Sequence, residues 1–536
     1  MFTLLFSIAQ AGQAPPEHLA PLSLDLVRLL ETPDPLDRYA LQLRRAEPRP
    51  DPDLVTVVVT VDGWQAPAVV RDGALRLGPQ VELQVQREAR MQLRLPIDQL
   101  EDLAQLPGVA RVEAPRMASS KGVVTQGRDD IFANNDWHSH GVTGVGVHVA
   151  VLDVGFTGYE DLLGVELPDK VGTTPNALSD LTAHGTAVAE IVHDLAPDAQ
   201  LSLYSFSTEL EFYERLDAIA EDGVDVVNAS IGFDNVWHAD GTSPFTVAVD
   251  ELVDGAGVTW VAAAGNEVGR YAIGEIGAPD ADGYATVGGM ESIAVYNFAG
   301  GVDVSLRWTE EFGAAGVDLD LVLVDSTGAI CGLGEEIQDG DDYPYEWASC
   351  DSGGGEIYAF VFVANGDPTG MTAFLYAPDQ IADSQAVALE QTLTLPGDTK
   401  RGISVAAYDV GTTDISWFSS HGPTDDGRDK PDIAGPSNID TVSYSAFEGT
   451  SAAAPHVAGV AALIIDAKGY ATPSTVREVM MKQAEDLGEP GWDVAFGAGA
   501  VRTRAVPEPL CGCSSAASGL GGLWLVALLG LWRRRS

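Results

Sequence analysis

The segment "FEGTSAAAPHVAGVAALII", Phe447 to Ile465, sets Ser451 between Gly-Thr and three alanines at the mouth of an apolar helix. Serine at that place has two readings. It is a preferred helix N-cap, or it is a nucleophile placed where the positive end of the helix stabilises an anion. Two other segments match it in character. Asp153 ends the apolar run "GVHVAVLDVG", so its carboxylate emerges at a strand's carboxyl end, with Gly155 leaving room beside it. His184 opens the helical pattern "HGTAVAEIVHDL". Nucleophilic acyl transfer needs a hydroxyl, an imidazole to take its proton, and a carboxylate to orient that imidazole. The three occur here in the order Asp, His, Ser. Rival machinery is missing: there is no H-E-x-x-H for a zinc peptidase and no G-x-S-x-G for an α/β-hydrolase. His193 reads as a helix-end residue, and His421 and His456 read as packing or capping groups.

Those residues need elements to position them. The runs "GVHVAVLDVG", "AQLSLYSF", "VDVVNASIG" and "GVTWVAAAGN" are short and apolar, and end in polar residues or glycine. Between them lie the helical patterns "HGTAVAEIVHDL", "ELEFYERLDAIAEDG" and "FTVAVDELVDGAG". Such alternation predicts a parallel sheet covered on both faces, with sites at the carboxyl ends of its strands. Over residues 267–393 the rhythm breaks. "VDVSLRWTEEF", "VDLDLVLVDSTG", "GEIYAFVFVANG" and "MTAFLYAP" alternate between Gly, Asp and Pro turns without helical spacing, which predicts an inserted β-sandwich. The α/β pattern resumes with "GISVAAYD" and runs to about residue 504. Upstream, "LVTVVVTVDG", "VELQVQREARMQLRLP" and "VARVEAP" read as strands and "IDQLEDLAQLPG" as a helix. They make a small α+β unit over residues 12–116, followed by the linker "MASSKGVVTQG".

Five segments, "VAVLDVG", "HGTAVAE", "AAAGNE", "FSSHGPTDDGRDKPDI" and "GTSAAAPHVAG", follow one another across about residues 145–505. In kind and order they resemble the signature segments of the subtilisin-like serine proteases. The resemblance implies an α/β fold: a three-layer α/β/α domain with a parallel sheet, in two parts, 117–266 and 394–504, around the insert. It implies Asp153, His184 and Ser451 as the catalytic residues and Asn266 as the side-chain donor to the oxyanion. It also implies that the strand around Ser230 and Gly232 is the edge on which a peptide substrate pairs. Ala452 stands where the family usually has methionine, a packing change. Residues 12–116 resemble the family's propeptide, a folding chaperone and inhibitor whose last strand fills the cleft. The alternative is a permanent N-terminal domain. The insert resembles the β-domains that accompany secreted peptidases.

Composition bounds the partners. The chain has 30 Lys+Arg against 79 Asp+Glu, a net charge of −49, so nucleic acid is excluded as a partner. Residues 1–116 carry −4 and residues 505–536 carry +2, which leaves −47 on residues 117–504. That surface suits secretion or salty surroundings. The chemistry needs no cofactor and no catalytic metal. Calcium in the acidic turns, such as Asp339-Gly340, stays open. Of the four cysteines, Cys331 and Cys350 can close a disulfide loop in an exported protein. The start, "MFTLLFSIAQA", reads as a signal peptide over residues 1–11 with an A-x-A cleavage pattern. Residues 505–536 carry an apolar run of 17 residues, Ala516 to Trp532, followed by three arginines. With "CGC" ahead of it, this tail resembles the myxobacterial C-terminal sorting signal, MYXO-CTERM, and implies sorting machinery as a partner. The expectation is an exported, surface-anchored endopeptidase made as a zymogen and acting on proteins or peptides. Its rival is a catalytically silent surface binding protein on the same scaffold.

Overall fold

The computed structural model describes residues 21–23, 26, 29–30, 53–62, 66–115, 119–120, 127–132, 137–173, 181–298, 301–351, 355–444 and 446–507. The signal-peptide segment and the apolar C-terminal run lie outside these residues.

The valine-rich run of the N-terminal unit forms β1 (Leu54–Val61), followed by α1 (Ala66–Ala74), β2 (Glu82–Arg87), β3 (Arg90–Pro96), α2 (Leu100–Ala104) and β4 (Val109–Glu113). The strands lie in the order β2-β3-β1-β4, all antiparallel, a split β-α-β arrangement. The long alternating run "VELQVQREARMQLRLP" is folded in two, because Glu88 takes φ 48° at the turn between β2 and β3. Beyond the unit, Ser119–Ser120 form a two-residue strand, β5.

The α/β core begins with β6 (His148–Asp153), β7 (Gly172–Thr173), α3 (His184–Leu195) and β8 (Gln200–Ser205). It continues with α4 (Glu209–Glu221), β9 (Val226–Ala229), β10 (Ile231–Gly232), α5 (Pro244–Ala256) and β11 (Thr259–Ala263). The insert follows as β12 (Tyr271–Glu275), β13 (Tyr284–Ala285), β14 (Ile293–Asn297), β15 (Val302–Trp308) and β16 (Asp318–Val324). Its remaining strands are β17 (Ile330–Gly334), β18 (Tyr345–Cys350), β19 (Gly355–Asn365) and β20 (Thr372–Tyr376). The core then closes with β21 (Ile403–Asp409), β22 (Ile433–Ser437), α6 (Thr450–Lys468) and α7 (Pro473–Gln483).

The core sheet has the order β22-β21-β11-β9-β6-β8-β7 and is parallel throughout. Its strands are apolar on both faces because both are covered. Along β6, Val149 and Val151 pack with α3, α6 and α7, while Ala150 and Leu152 face α4 and α5. Where α6 crosses α3, Gly459 is required: a Cβ there would lie 2.4 Å from the Leu195 Cβ. Helix α6 is long and apolar enough to span a membrane, yet it is buried in this core. The insert is two facing sheets, β12-β20-β15-β18 and β13-β19-β16-β17, with β14 also on β19. A disulfide between Cys331 and Cys350, with Cα atoms 5.0 Å apart, ties β17 to β18 and so one sheet to the other.

The N-terminal sheet lies against α4 and α5. Val58 and Val85 join their apolar cluster. Arg87 Nη1 donates to Asp217 Oδ2 at 2.6 Å and to the Tyr213 carbonyl at 3.0 Å, Arg90 pairs with Glu209, and Thr208 Oγ1 donates to Gln92 Oε1 at 2.5 Å.

Candidate active site

The carboxyl end of β6 and the first turn of α3 meet at a carboxylate–imidazole pair. His184 Nδ1 lies 2.9 Å from Asp153 Oδ1 and 2.8 Å from Oδ2. Both side chains are buried, and Asp153 Oδ1 also accepts the Val154 N–H at 2.8 Å. Gly155 is what lets the two elements approach, since a Cβ there would sit 2.7 Å from the Thr182 carbonyl oxygen. The Phe447 ring covers the imidazole, with ring centres 5.2 Å apart.

Ser451 is not an N-cap. Gly449 caps α6, with φ 134°, and Ser451 is the second helical residue, with its side chain buried at the helix's positive end. Pro455 lies inside the helix, beyond its first turn. Having no N–H, it leaves the Ser451 carbonyl without its helical donor. Ser230 Oγ supplies the missing bond at 2.9 Å. In return, Ser451 Oγ donates to the Ser230 carbonyl at 3.3 Å. Asn228 Nδ2 holds Ser230 Oγ at 2.9 Å, so the end of β9 and the start of α6 are locked together.

Asn266 follows β11. Its Oδ1 accepts from the Thr450 N–H at 2.9 Å and from Thr450 Oγ1 at 3.0 Å, which leaves the amide nitrogen, Nδ2, as the donating end. Gly232 lies in β10, and the backbone of β5 pairs antiparallel with that edge, Ser120 opposite Ile231 and Ser119 opposite Gly232. All six predicted site residues thus come from loops and element ends on the carboxyl side of one sheet. Sequence reasoning passed over Thr450 and Glu267, although both lie inside quoted segments. It also passed over Tyr376, which lies in the quoted strand "MTAFLYAP" but carries no local sign of a role at the site.

His456, His193 and His421 are held in packed surroundings. His456 is buried, with Nδ1 2.8 Å from the Ala452 carbonyl, and burial pushes its pKa down to about 3. His193 and His421 are likewise shifted down by burial, so both favour the neutral form. One group of described residues brings carboxylates close enough for a cation: Asp339, Asp341 and Asp342, between β17 and β18, each offer an oxygen within 4.8 Å of the others. They belong to the insert and take no part in the arrangement around Ser451.

Comparison with known proteins places this geometry in a family. The subtilase family model matches residues 144–298 and 346–499. The chain belongs to the subtilase family. It is 26% identical over 450 residues to the minor extracellular protease Vpr of Bacillus subtilis, covering 72% of this chain and 54% of that protein. It is 35% identical over 139 residues to the serine protease AprX of the same organism, covering 21% of this chain and 31% of that one. The chain therefore spans about half or less of these relatives' length. Among solved structures, the CspB protease of Clostridium perfringens superposes with a TM-score of 0.51 at 19% identity, covering 68% of this chain and 95% of that one. That likeness shows the fold, a subtilisin-like α/β domain.

Proposed function

We propose that this chain is an exported serine endopeptidase, made as a zymogen, that hydrolyses protein or peptide bonds through an acyl-enzyme on Ser451. The observation that carries the reading is His184 Nδ1 within 2.9 Å of both Asp153 oxygens. A carboxylate at Nδ1 fixes the tautomer in which Nε2 is the base and stabilises the imidazolium that forms. In this reading Nε2 takes the Ser451 proton as Oγ attacks the scissile carbonyl. The developing oxyanion receives a hydrogen bond from Asn266 Nδ2 and the field of the α6 N-terminus. The tetrahedral adduct collapses as His184 returns the proton to the leaving amine. Water then attacks the acyl-enzyme by the same proton route, which frees Ser451.

Substrate would lie along Ser230–Gly232 as an added antiparallel strand. Support for the zymogen comes from that edge, because β5, just past the N-terminal unit, pairs there, and Ser451 is fully buried. The propeptide is then both docked on α4 and α5 and threaded across the cleft, where tethering raises its local concentration. Export is supported by the word "extracellular" in the name of Vpr and by the sequence of both chain ends. Surface anchoring by the C-terminal run belongs to the same reading.

The test is the N-terminus and activity of the protein with Ser451 intact and as Ser451→Ala. The parent should cleave casein, take a fluorophosphonate label and begin within a few residues after Ser120. Ser451→Ala should do none of these and should keep its N-terminal unit. Casein cleavage by Ser451→Ala at the parent rate would end the assignment. Two forms that both begin at Gly12 would make the unit a resident domain. Mass spectrometry of the C-terminus in cell-surface and medium fractions tests the anchor, which predicts a surface-bound form cut near Cys511 or Cys513.

A further inference from the structure

We propose that the inserted sandwich is a working part of the active site: Tyr376, at the end of its last strand, acts through Glu267 to position Asn266. The proposal rests on Asn266 being the oxyanion donor, as read above.

Glu267 is fully buried. A buried carboxylate is tolerated only when donors surround it, and here those donors tie three parts of the chain together. Its Oε1 accepts the backbone N–H of Asn266 at 3.0 Å. Its Oε2 accepts from the Tyr376 hydroxyl at 2.9 Å and from Arg270 Nη1 at 3.1 Å. The hydroxyl reaches across 109 residues of sequence. It is buried and flanked by Asp234 and Glu267, so its pKa is raised well above the ordinary value and it remains a donor. Neighbouring contacts hold it there: Tyr271 is its partner across β12 and β20, with rings 4.9 Å apart, and Ala377 N–H donates to the Arg270 carbonyl at 2.9 Å.

Asn266 is thereby gripped at two ends. Thr450, the neighbour of Ser451, holds its side-chain carbonyl, and Glu267 holds its main chain. An oxyanion donor works by being aimed before charge develops, and an error of an ångström is costly. The Thr450 grip is internal to the α/β core. The Glu267 grip is completed by the insert, so the insert contributes to turnover and not only to stability.

The experiment is a double-mutant cycle on enzyme made from the full chain, with kcat normalised to titrated active sites. Asn266→Ala should lower kcat by ~100-fold or more. Tyr376→Phe should lower kcat by about 3- to 10-fold, the net size of one ordinary hydrogen bond, and change KM by less than about twofold. In the Asn266→Ala background, Tyr376→Phe should then cost less than about twofold, because the group it positions is gone. Should Tyr376→Phe not fold, Arg270→Gln removes the other Oε2 donor from the partly exposed side and should show the same dependence on Asn266. An undiminished loss in the Asn266→Ala background, a change in KM alone, or no change in kcat would each overturn the proposal. If Asn266→Ala itself left kcat unchanged, the oxyanion reading beneath it would fail instead.

Discussion

The two units added to the α/β core are attached by different chemistry. The N-terminal unit rests on α4 and α5 through a few valines and through arginines at the edge of its sheet. In its Arg87–Asp217 pair the side chains are 32% and 66% exposed, and in Arg90–Glu209 the arginine is 29% exposed against a buried glutamate. The insert is joined around a buried arginine. Arg307 of β15 is 2% exposed and is held by Asp425 Oδ2 at 2.8 Å, Asn235 Oδ1 at 2.8 Å and His238 Nδ1 at 3.0 Å. Its guanidinium carbon lies 3.6 Å from the centre of the Phe374 ring. Beside it, Trp237 of the core stacks on Phe312 of the insert with ring centres 3.9 Å apart. Exposed ion pairs contribute ~1 kcal/mol or less, whereas breaking a buried one costs ~3–5 kcal/mol. The difference fits the proposed zymogen, in which the N-terminal interface would part and the other would stay. A link does run between the two units: Arg111 of β4 lies over the Tyr343 ring at 4.9 Å, with Asp342 3.9 Å away.

The largest expected effect is that of Ser451→Ala, which should reduce hydrolysis to background and leave both units in place. Loss of the N-terminal unit from this variant without an added protease would break the comparison, since parting would then not depend on Ser451. Next comes Arg307→Met. It strands Asp425 and Asn235 in a buried setting and should destabilise the protein by ~3–5 kcal/mol, read by thermal or denaturant unfolding. A loss below ~1 kcal/mol would show the two interfaces to be alike. Arg87→Ala should be milder. The N-terminal unit, added in trans as an inhibitor, should bind about 3- to 5-fold more weakly to the mature enzyme in dilute buffer. That difference should vanish near 1 M salt, where the Debye length is ~3 Å, and a salt-independent loss would make the contact one of packing.

The smallest effect separates the insert from the core by pH. Burial, with Asp318 and Glu335 nearby, pushes Asp320 up to about 7. A carboxyl whose folded pKa lies above its unfolded value of ~3.9 holds its proton longer when folded. The folded state therefore loses stability as pH rises from about 4 to about 7. Asp320→Asn should raise the insert's melting temperature at pH 8 and leave it unchanged at pH 4. In the core, burial also opposes ionisation of Asp432, but Lys430 and Arg477 outweigh it and hold the carboxyl below its ordinary value. That stability is present above pH ~4 and is lost as pH falls through the depressed value. An equal response at both pH values would remove Asp320 as the cause.

Much of the molecule was legible in the chain because it is written in local patterns. The end of an apolar run marked Asp153, the starts of apolar helices marked His184 and Ser451, and the family resemblance pointed to Asn266. The change from strand–helix alternation to strands alone marked the insert. Periodicity does not report how far a pattern runs before it turns, so the hairpin at Glu88 was hidden in one continuous alternation. Nor does it report a helix's first residue: α6 starts at Thr450, so Ser451 is its second residue and not its cap.

What only the tertiary structure decided is how distant groups complete one another. The carbonyl that Pro455 leaves bare is satisfied by Ser230, 221 residues away. The carboxylate beside Asn266 is satisfied by a tyrosine at the end of a domain of different architecture. The sequence by itself determined the layers, because hydrophobic period and helix and strand ends are short-range properties, and its signature segments pointed to the family. Buried hydrogen bonds across more than a hundred residues leave no periodic trace. They follow from which surfaces the fold brings together and from the cost of leaving a buried polar group unpaired.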